Sequence, residues 1–392
     1  MGVTLRRAAY LLLFVSAFGP FLVSLHTPAP SDWRFDMTAA ARLGNAADNE
    51  PPFQRQFITE ARPAPFVHAP ALVETRNGDL LAVWYAGTRE GRRDVRLFAA
   101  RRRQGRATWD EPWTLIDRRS IQASLMRFVQ TIGNPVLGRD RDGRIWLFFV
   151  TTSSGWSGGQ VDCVVSADDG ATWSAPKALV TSPVWNIGTL TKGVPFLYQD
   201  GSLGLPLYHM LMHNLSALAR VGPNGVVVDT TRIAWLKQAI QPVIVPLDER
   251  RALALHRQES PEPRHVLLAR TADGGRTWSS VEPLPLPNPS SAVAAVRTDS
   301  GGVLLAFNNS GRDRRNLSLA LSNDEGASWR ILTEIDHIGL DMSAARDALS
   351  DNISYPYMIR SANGTYQLVY AYGSSYIRSV SFTAAWLDRL VQ

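Results

Sequence analysis

One eight-residue pattern occurs three times in this chain, and its spacing restricts the fold more than any other feature. Ser166-Ala-Asp168-Asp-Gly170-Ala-Thr172-Trp173 is followed by Thr271-Ala-Asp273-Gly-Gly275-Arg-Thr277-Trp278 and by Ser322-Asn-Asp324-Glu-Gly326-Ala-Ser328-Trp329. The chemistry is that of a hairpin turn: the Asp carboxylate accepts from backbone N–H groups, the Gly takes a positive φ, and the Trp packs beneath. Asp168 and Asp273 are 105 residues apart, and Asp273 and Asp324 are 51 apart. The period is therefore close to fifty, with one degenerate copy between the first two. Repeats of that length cannot bury their apolar faces alone and stack as the four-stranded blades of a propeller.

A second repeat sets the number of blades. Turn pairs precede apolar strands at Asn77-Gly78 (before 80–85), Asp142-Gly143 (145–150), Asp200-Gly201 (203–208), Asp248-Glu249 (252–257), Ser300-Gly301 (303–308) and Asn363-Gly364 (366–372). Six hairpins between Gly78 and Gly364 give a mean step of 57 residues and imply six blades. β-Branched and aromatic runs bounded by Gly, Asn and Asp support strands throughout, and no long stretch carries a helical period. The expected fold is all-β, a six-bladed propeller over residues 57–392, with 57–63 as an outer strand closing the ring.

The N-terminus reads as a targeting element. Arg6 and Arg7 precede Ala8–Leu25, an uncharged apolar stretch at the lower edge of what spans a bilayer. Residues 1–25 are expected to be a signal anchor or a signal peptide, and 26–56, rich in Pro and Ala, a linker. Positive-inside logic places the body outside the cytoplasm, in the cell envelope or secreted, with the membrane reached through the N-terminal segment. The net charge of +6 suits acidic ligands, and no Lys/Arg run or nucleic-acid motif occurs. Cys163 is the single cysteine, which excludes an intrachain disulfide and a thiolate metal site. His209, His213 and His256 match no metal-ligand spacing, so neither a metal nor a cofactor is expected.

The candidate site follows from propeller topology. In each blade the first strand is innermost, and the second returns to the face where the first began. Pro70, Pro135, Pro195, Pro242 and Pro356 mark five of the first strands. Strand starts then bring His68, Asn134, Lys192, Gln241, Asn288 with Ser291, and Tyr355 to one face. Strand returns bring Arg89 with Glu90, Tyr208 with His209, His256 with Arg257, Asn308 with Asn309 and Arg312, and Tyr372. A polar, aromatic, Arg-bearing ring around an axial pocket is how such a fold holds a small ligand.

With three such boxes in a six-hairpin array, the chain resembles the sialidase superfamily, in its BNR/Asp-box sialidase-like branch, over about residues 60–385. The resemblance implies a glycan-processing propeller whose Asp-boxes lie at the periphery and do no chemistry. It implies an arginine triad for a substrate carboxylate, a Tyr nucleophile with a Glu partner, and an Asp acid. Arg257 matches the second arginine. Arg312 is the best match to the third, with Arg314 and Arg315 as rivals. Tyr355 matches the nucleophile. His68 stands where the first arginine belongs, Gln241 where the Glu belongs, and Asp94 and Glu90 are candidates for the acid.

An amide cannot take a proton from Tyr355, so both replacements count against ordinary sialidase turnover. An imidazole at the centre of the ring offers other acid–base chemistry. Some sialidase-like propellers act on rhamnose-capped glucuronate through a central His, by lyase or hydrolase routes. The expected catalytic set is His68, Tyr355 and Gln241. The expected substrate-binding set is Arg89, Glu90, Asn134, Lys192, His209, Arg257, Asn309, Arg312 and Tyr372. The first reading is an enzyme cleaving a terminal acidic sugar, uronate- or sialate-bearing, from an extracytoplasmic oligo- or polysaccharide. The second is a non-catalytic glycan-binding or scaffold propeller. The third is a true exo-sialidase, with Glu259 or Glu90 as replacement base.

Overall fold

The computed structural model of the chain describes residues 32–38, 51–59, 64–182, 186–211, 215–235, 239–339 and 349–392. These residues form six antiparallel sheets. Blade I is Phe66–Glu74, Leu80–Gly87, Arg96–Arg102 and Trp113–Asp117. Blade II is Thr131–Arg139, Ile145–Thr152, Gly159–Ser166 and Lys177–Ala178. Blade III is Thr189–Thr191 with Phe196–Leu197, then Leu203–His209, Leu215–Val221 and Val227–Ala234. Blade IV is Ala239–Pro246, Ala252–Gln258, His265–Thr271 and Glu282–Pro287. Blade V is Ala294–Arg297, Val303–Phe307, Asn316–Ser322 and Arg330–His337. Blade VI is Ile353–Arg360, Tyr366–Tyr372 and Tyr376–Phe382, closed by Phe53–Phe57. Each innermost strand packs against the next blade and blade VI returns to blade I, so the ring is closed. Both faces of the inner strands are covered by neighbouring blades. That is why they read as continuous apolar runs, as in Ile145–Thr152, buried at every position.

The expected closing strand over 57–63 forms earlier, at Phe53–Phe57, paired with Tyr376–Phe382. Its later half, 60–63, lies outside the described residues. Nor is all of 26–56 a linker. Trp33 and Phe35 are buried, Phe35 bridges Tyr198, and the amides of Phe35 and Asp36 donate to Glu249 and Leu197. Two aromatic side chains in an otherwise polar segment are enough to seat it, at about 1.5–3 kcal/mol for each one buried. No helix among the described residues is long and apolar enough to cross a membrane. Ala8–Leu25 lies outside the described residues, as does His213.

The three boxes fold as the motif requires. In the first, Asp168 accepts from the Thr172 amide (2.8 Å) and hydroxyl (2.6 Å), and Ser166 Oγ accepts from the Gly170 amide (2.8 Å). Those Thr172 hydrogen bonds hold the Asp168 carboxyl down at about 2. Each box carries two successive positive-φ residues: Asp169-Gly170, Gly274-Gly275 and Glu325-Gly326. Only the second has Gly in the first place. A Cβ there would meet the Trp33 carbonyl oxygen at 1.6 Å. The N-terminal segment crosses the turn at that point.

The inner strands are kinked at a common level. Ala69, Asn134, Gln241 and Tyr355 each precede a Pro, each has a φ of 45–55°, and each sits where the pairing with the second strand skips a residue. Proline has no N–H to give the ladder, so a bulge is where a strand accommodates it. In blade III the same level is a break around Gly193, and in blade V Ser290 takes φ 54 just before the strand. Left-handed non-glycine residues are strained and gather at ligand sites. Here they turn side chains toward the channel. The alignment also corrects the expected register. Ala69, not His68, is the blade I counterpart of Asn134, Gln241 and Tyr355.

Candidate functional site: an axial pocket with one cationic side

Three adjacent blades supply positive charge. Lys192 comes from the break in blade III, Arg257 from the second strand of blade IV, and Arg314 from the loop before Asn316–Ser322 of blade V. The side chain of Lys192 reaches blade VI, donating to the Pro356 carbonyl (3.0 Å) above the Tyr357 ring (5.0 Å), 5.9 Å from the Tyr355 ring centre. Arg257 donates to Ser290 Oγ (3.0 Å), to Glu259 Oε1 (3.1 Å) and to Gln241 Oε1 (3.4 Å). Arg314 donates to the Ser290 carbonyl. Burial lowers the pKa of Arg314, and the charge of Arg257 lowers it further; a guanidinium still stays charged.

The other side is aromatic and uncharged except for Glu90. His68 lies 4.4 Å from the Tyr355 ring centre, edge to face, and 5.7 Å from that of Tyr85. Gln241 Nε2 donates to Tyr355 Oη and to Tyr208 Oη, both at 3.4 Å, and Asn134 Nδ2 reaches Tyr208 Oη at 3.0 Å. Glu90 Oε1 accepts from Tyr85 Oη (3.2 Å) and Trp156 Nε1 (3.1 Å). Burial, with the Glu90 charge second, raises the Tyr85 phenol well above its ordinary value. Burial raises Tyr208 likewise.

The electrostatics of His68 differ from expectation. Burial, then the charges of Arg314, Lys192 and Arg257, push its pKa down to about 3, and its buried Nδ1 has no hydrogen-bond partner among the described residues. The imidazole is therefore neutral at working pH rather than poised near neutrality. Lys192 is the group poised there: burial lowers its pKa to about 7.

Of the residues expected from sequence, the structure brings together His68, Tyr355, Gln241, Asn134, Lys192, Arg257 and Glu90. Five fall elsewhere. Arg312 is exposed, because Ser310 Oγ accepts from the amides of Arg312 and Asp313 and turns the loop outward there. Arg314 enters the pocket instead, its carbonyl accepting from the Ile353 amide of blade VI. Asn309 is tied to Asn316 within that loop. Tyr372 is wholly buried in the blade VI core, under Arg378 (4.7 Å) and beside Phe57, because strand alternation turns it away from the channel. His209 pairs with Thr189 (3.1 Å) at the blade III edge, and Arg89 is exposed. Asp94, the other candidate acid, binds the Thr88 amide and hydroxyl in its own loop.

Tyr85, Trp156 and Ser290 were not anticipated. The signal for Tyr85 was present, since it ends its strand as Tyr208 ends the equivalent one. Trp156, alone in a Ser/Gly loop, gave none.

A closed ring of six blades with a polar, aromatic cluster at the ends of its inner strands defines a β-propeller. Residues 78–368 match the BNR repeat-like domain, and the chain belongs to this sialidase-like BNR-repeat superfamily. Among solved structures, a Hadza microbial sialidase is similar at 17% identity and TM-score 0.64, covering 82% of this chain and 66% of that one. The intramolecular trans-sialidase from Ruminococcus gnavus aligns at 14% identity and TM-score 0.64, covering 85% and 97%. A protein of unknown function from Dyadobacter fermentans aligns at 14% identity and TM-score 0.63, covering 85% and 99%. At such identities the likeness carries the fold alone. No curated protein matches the sequence.

Proposed function

We propose that this protein is a carbohydrate-active enzyme that cleaves a terminal acidic sugar, uronate- or sialate-bearing, from a glycan outside the cytoplasm. The observation that carries this reading is the charge imbalance of the pocket. Lys192, Arg257 and Arg314 converge there, and among the described residues only Arg257 has a carboxylate partner, Glu259. Buried charge without a partner is costly, and an anionic ligand relieves that cost. The sugar carboxylate would lie against Arg257 and Arg314. Glu90, held through Oε1 by Tyr85 and Trp156, would in its protonated form give the proton of its other oxygen to the leaving oxygen.

Tyr355 does not work here as in an ordinary sialidase. Its Oη takes a hydrogen bond from the Gln241 amide, while Glu259 is held by Arg257 and Glu90 by Tyr85 and Trp156. Among the described residues no carboxylate is left to remove the phenolic proton. His68 is the neutral group against Tyr355 that can accept a proton. Burial, then the neighbouring cations, depress its pKa; a bound anion would offset the cations' share, so His68 would gain basicity in the complex. The N-terminal apolar stretch would hold the enzyme at the envelope.

Incubation of the protein with sialylated and glucuronate-capped glycans tests the reading. Mass spectrometry reports released acidic sugar, and ultraviolet absorbance reports a new C=C bond if the route is elimination. Product that disappears in His68→Ala, with the fold retained, supports it. Glycan binding with no product would replace it with the binding-module reading, which the Gln241 amide in place of a base favours.

A further inference from the structure

Lys192 has a position unlike that of either arginine. Blades III and VI face each other across the ring, and the side chain crosses from one to the other. Its ammonium rests on the Pro356 carbonyl and over the Tyr357 ring. Tyr357 in turn spans to blade II, donating to the Leu137 carbonyl (2.7 Å) and accepting from the Leu137 amide (3.2 Å). Lys192 is 2% exposed, and among the described residues no carboxylate lies within ion-pair distance of it. The ammonium is thus held between the inner strands of blades III and VI by one carbonyl and two rings. One neutral acceptor leaves most of its donor capacity unused.

The groups around it give no compensation. Blade I presents neutral His68, the phenol Tyr85 and, at the exposed rim, Glu90, which is held by Tyr85 and Trp156 and makes no ion pair with Lys192. Blade II presents the neutral amide of Asn134, and blade III the phenol Tyr208. Blade IV presents Arg257, already paired with Glu259, blade V presents Arg314, and blade VI presents Tyr355 and Tyr357. Burial among neutral groups makes a poor environment for a lone cation, but a good one for a cation that arrives together with an anion; Arg257 and Arg314 share His68 with Lys192 as a neighbour.

We infer that Lys192 is the third arm of the anion site, and that capture of an acidic sugar is coupled to proton uptake by its amine. This rests on the acidic-sugar reading above and adds to it a pH control built into the contact between blades III and VI. With the amine charged only below about neutrality in the empty pocket, an anion that favours the ammonium must supply the coupling. The sign follows: binding weakens as pH rises above 7, by up to about tenfold per unit while the proton is taken up on binding.

The test is titration calorimetry of the intact protein with D-glucuronate and N-acetylneuraminate at pH 6 and pH 8.5, in two buffers of different ionisation enthalpy. The wild type should bind an acid more tightly at pH 6, with a buffer-dependent heat that reports proton uptake near and above neutrality. Lys192→Met should bind about tenfold or more weakly at pH 6, lose the pH dependence and the proton uptake, and melt no lower than wild type. Replacing an unpaired buried charge with an apolar side chain of similar length costs the fold little. If either acid binds and Lys192→Met leaves affinity and pH dependence unchanged, this inference alone is overturned. If neither acid binds the wild type, the acidic-sugar reading falls and this inference falls with it.

Discussion

Gly274→Ala isolates how the N-terminal segment is held. The position has φ +77, and an added Cβ would meet the Trp33 carbonyl oxygen at 1.6 Å. The obstacle is backbone on both sides, because the Gly274 amide is itself tied to the Arg250 carbonyl (2.8 Å). The left-handed backbone costs an alanine roughly 1–2 kcal/mol. The clash must then be relieved by lifting residues 32–37 from blades III and IV. That exposes Trp33 and Phe35, at about 1.5–3 kcal/mol each, and uncovers Arg220, whose guanidinium lies 4.5 Å from the Trp33 ring centre and 4.2 Å from that of Tyr198. Extended-chain references inflate such sums, so about 3–6 kcal/mol is a fair expectation. A globular domain has only about 5–15 kcal/mol in all, so the segment should detach before the ring opens. Gly201→Ala is the control: φ is +83 on the same side of blade III, and nothing lies within 4 Å of the new Cβ. Hydrogen exchange should show lost protection at the amides of Phe35, Asp36 and Gln199 in Gly274→Ala, little change in Gly201→Ala, and unchanged protection in blades I and VI. Equal protection and equal melting temperatures for the two variants would refute the argument.

Three further outcomes are expected. Arg314→Met should weaken acidic-sugar binding by roughly 10–150-fold, the worth of about 1.5–3 kcal/mol for a charge-assisted hydrogen bond, while the exposed Arg312→Met stays within about twofold; equal losses in the two would contradict the placement of Arg314 in the pocket. Trp156→Phe, which removes one of the two donors to Glu90, should lower kcat more than it raises KM on a verified substrate, and an effect confined to KM would remove Glu90 from the proton-transfer role. Burial, against the pull of Arg127 and Thr151, raises Asp162 from 3.8 to about 6. The folded state therefore holds that proton more tightly, and this group costs stability progressively as pH rises through that window and fully above it. Thermal melts of Asp162→Asn should show a flatter pH dependence between about 4 and 6 than wild type, and identical slopes would count against the burial argument.

The sequence alone determined the architecture, because its signals are local and repeated. A turn that needs Asp, Gly and Trp at fixed offsets announces itself wherever it occurs. Paired strands buried on both faces must be apolar, so six blades could be counted from six hairpins. The same periodicity set Asn134, Gln241 and Tyr355 at one level of the inner strands and brought Lys192 and Arg257 near them, with His68 one residue off that register. Three things needed the tertiary structure. The first is selection within a loop: Arg312 and Arg314 are both plausible in sequence, and a cap at Ser310 with a backbone bond to Ile353 decides between them. The second is side-chain direction at a strand end, which buried Tyr372 and recruited Tyr85. The third is electrostatic state. An isolated imidazole titrates near neutrality and an isolated amine far above it. The burial and neighbouring cations that make His68 neutral, and the burial that leaves Lys192 poised, exist only once residues distant in sequence share the channel.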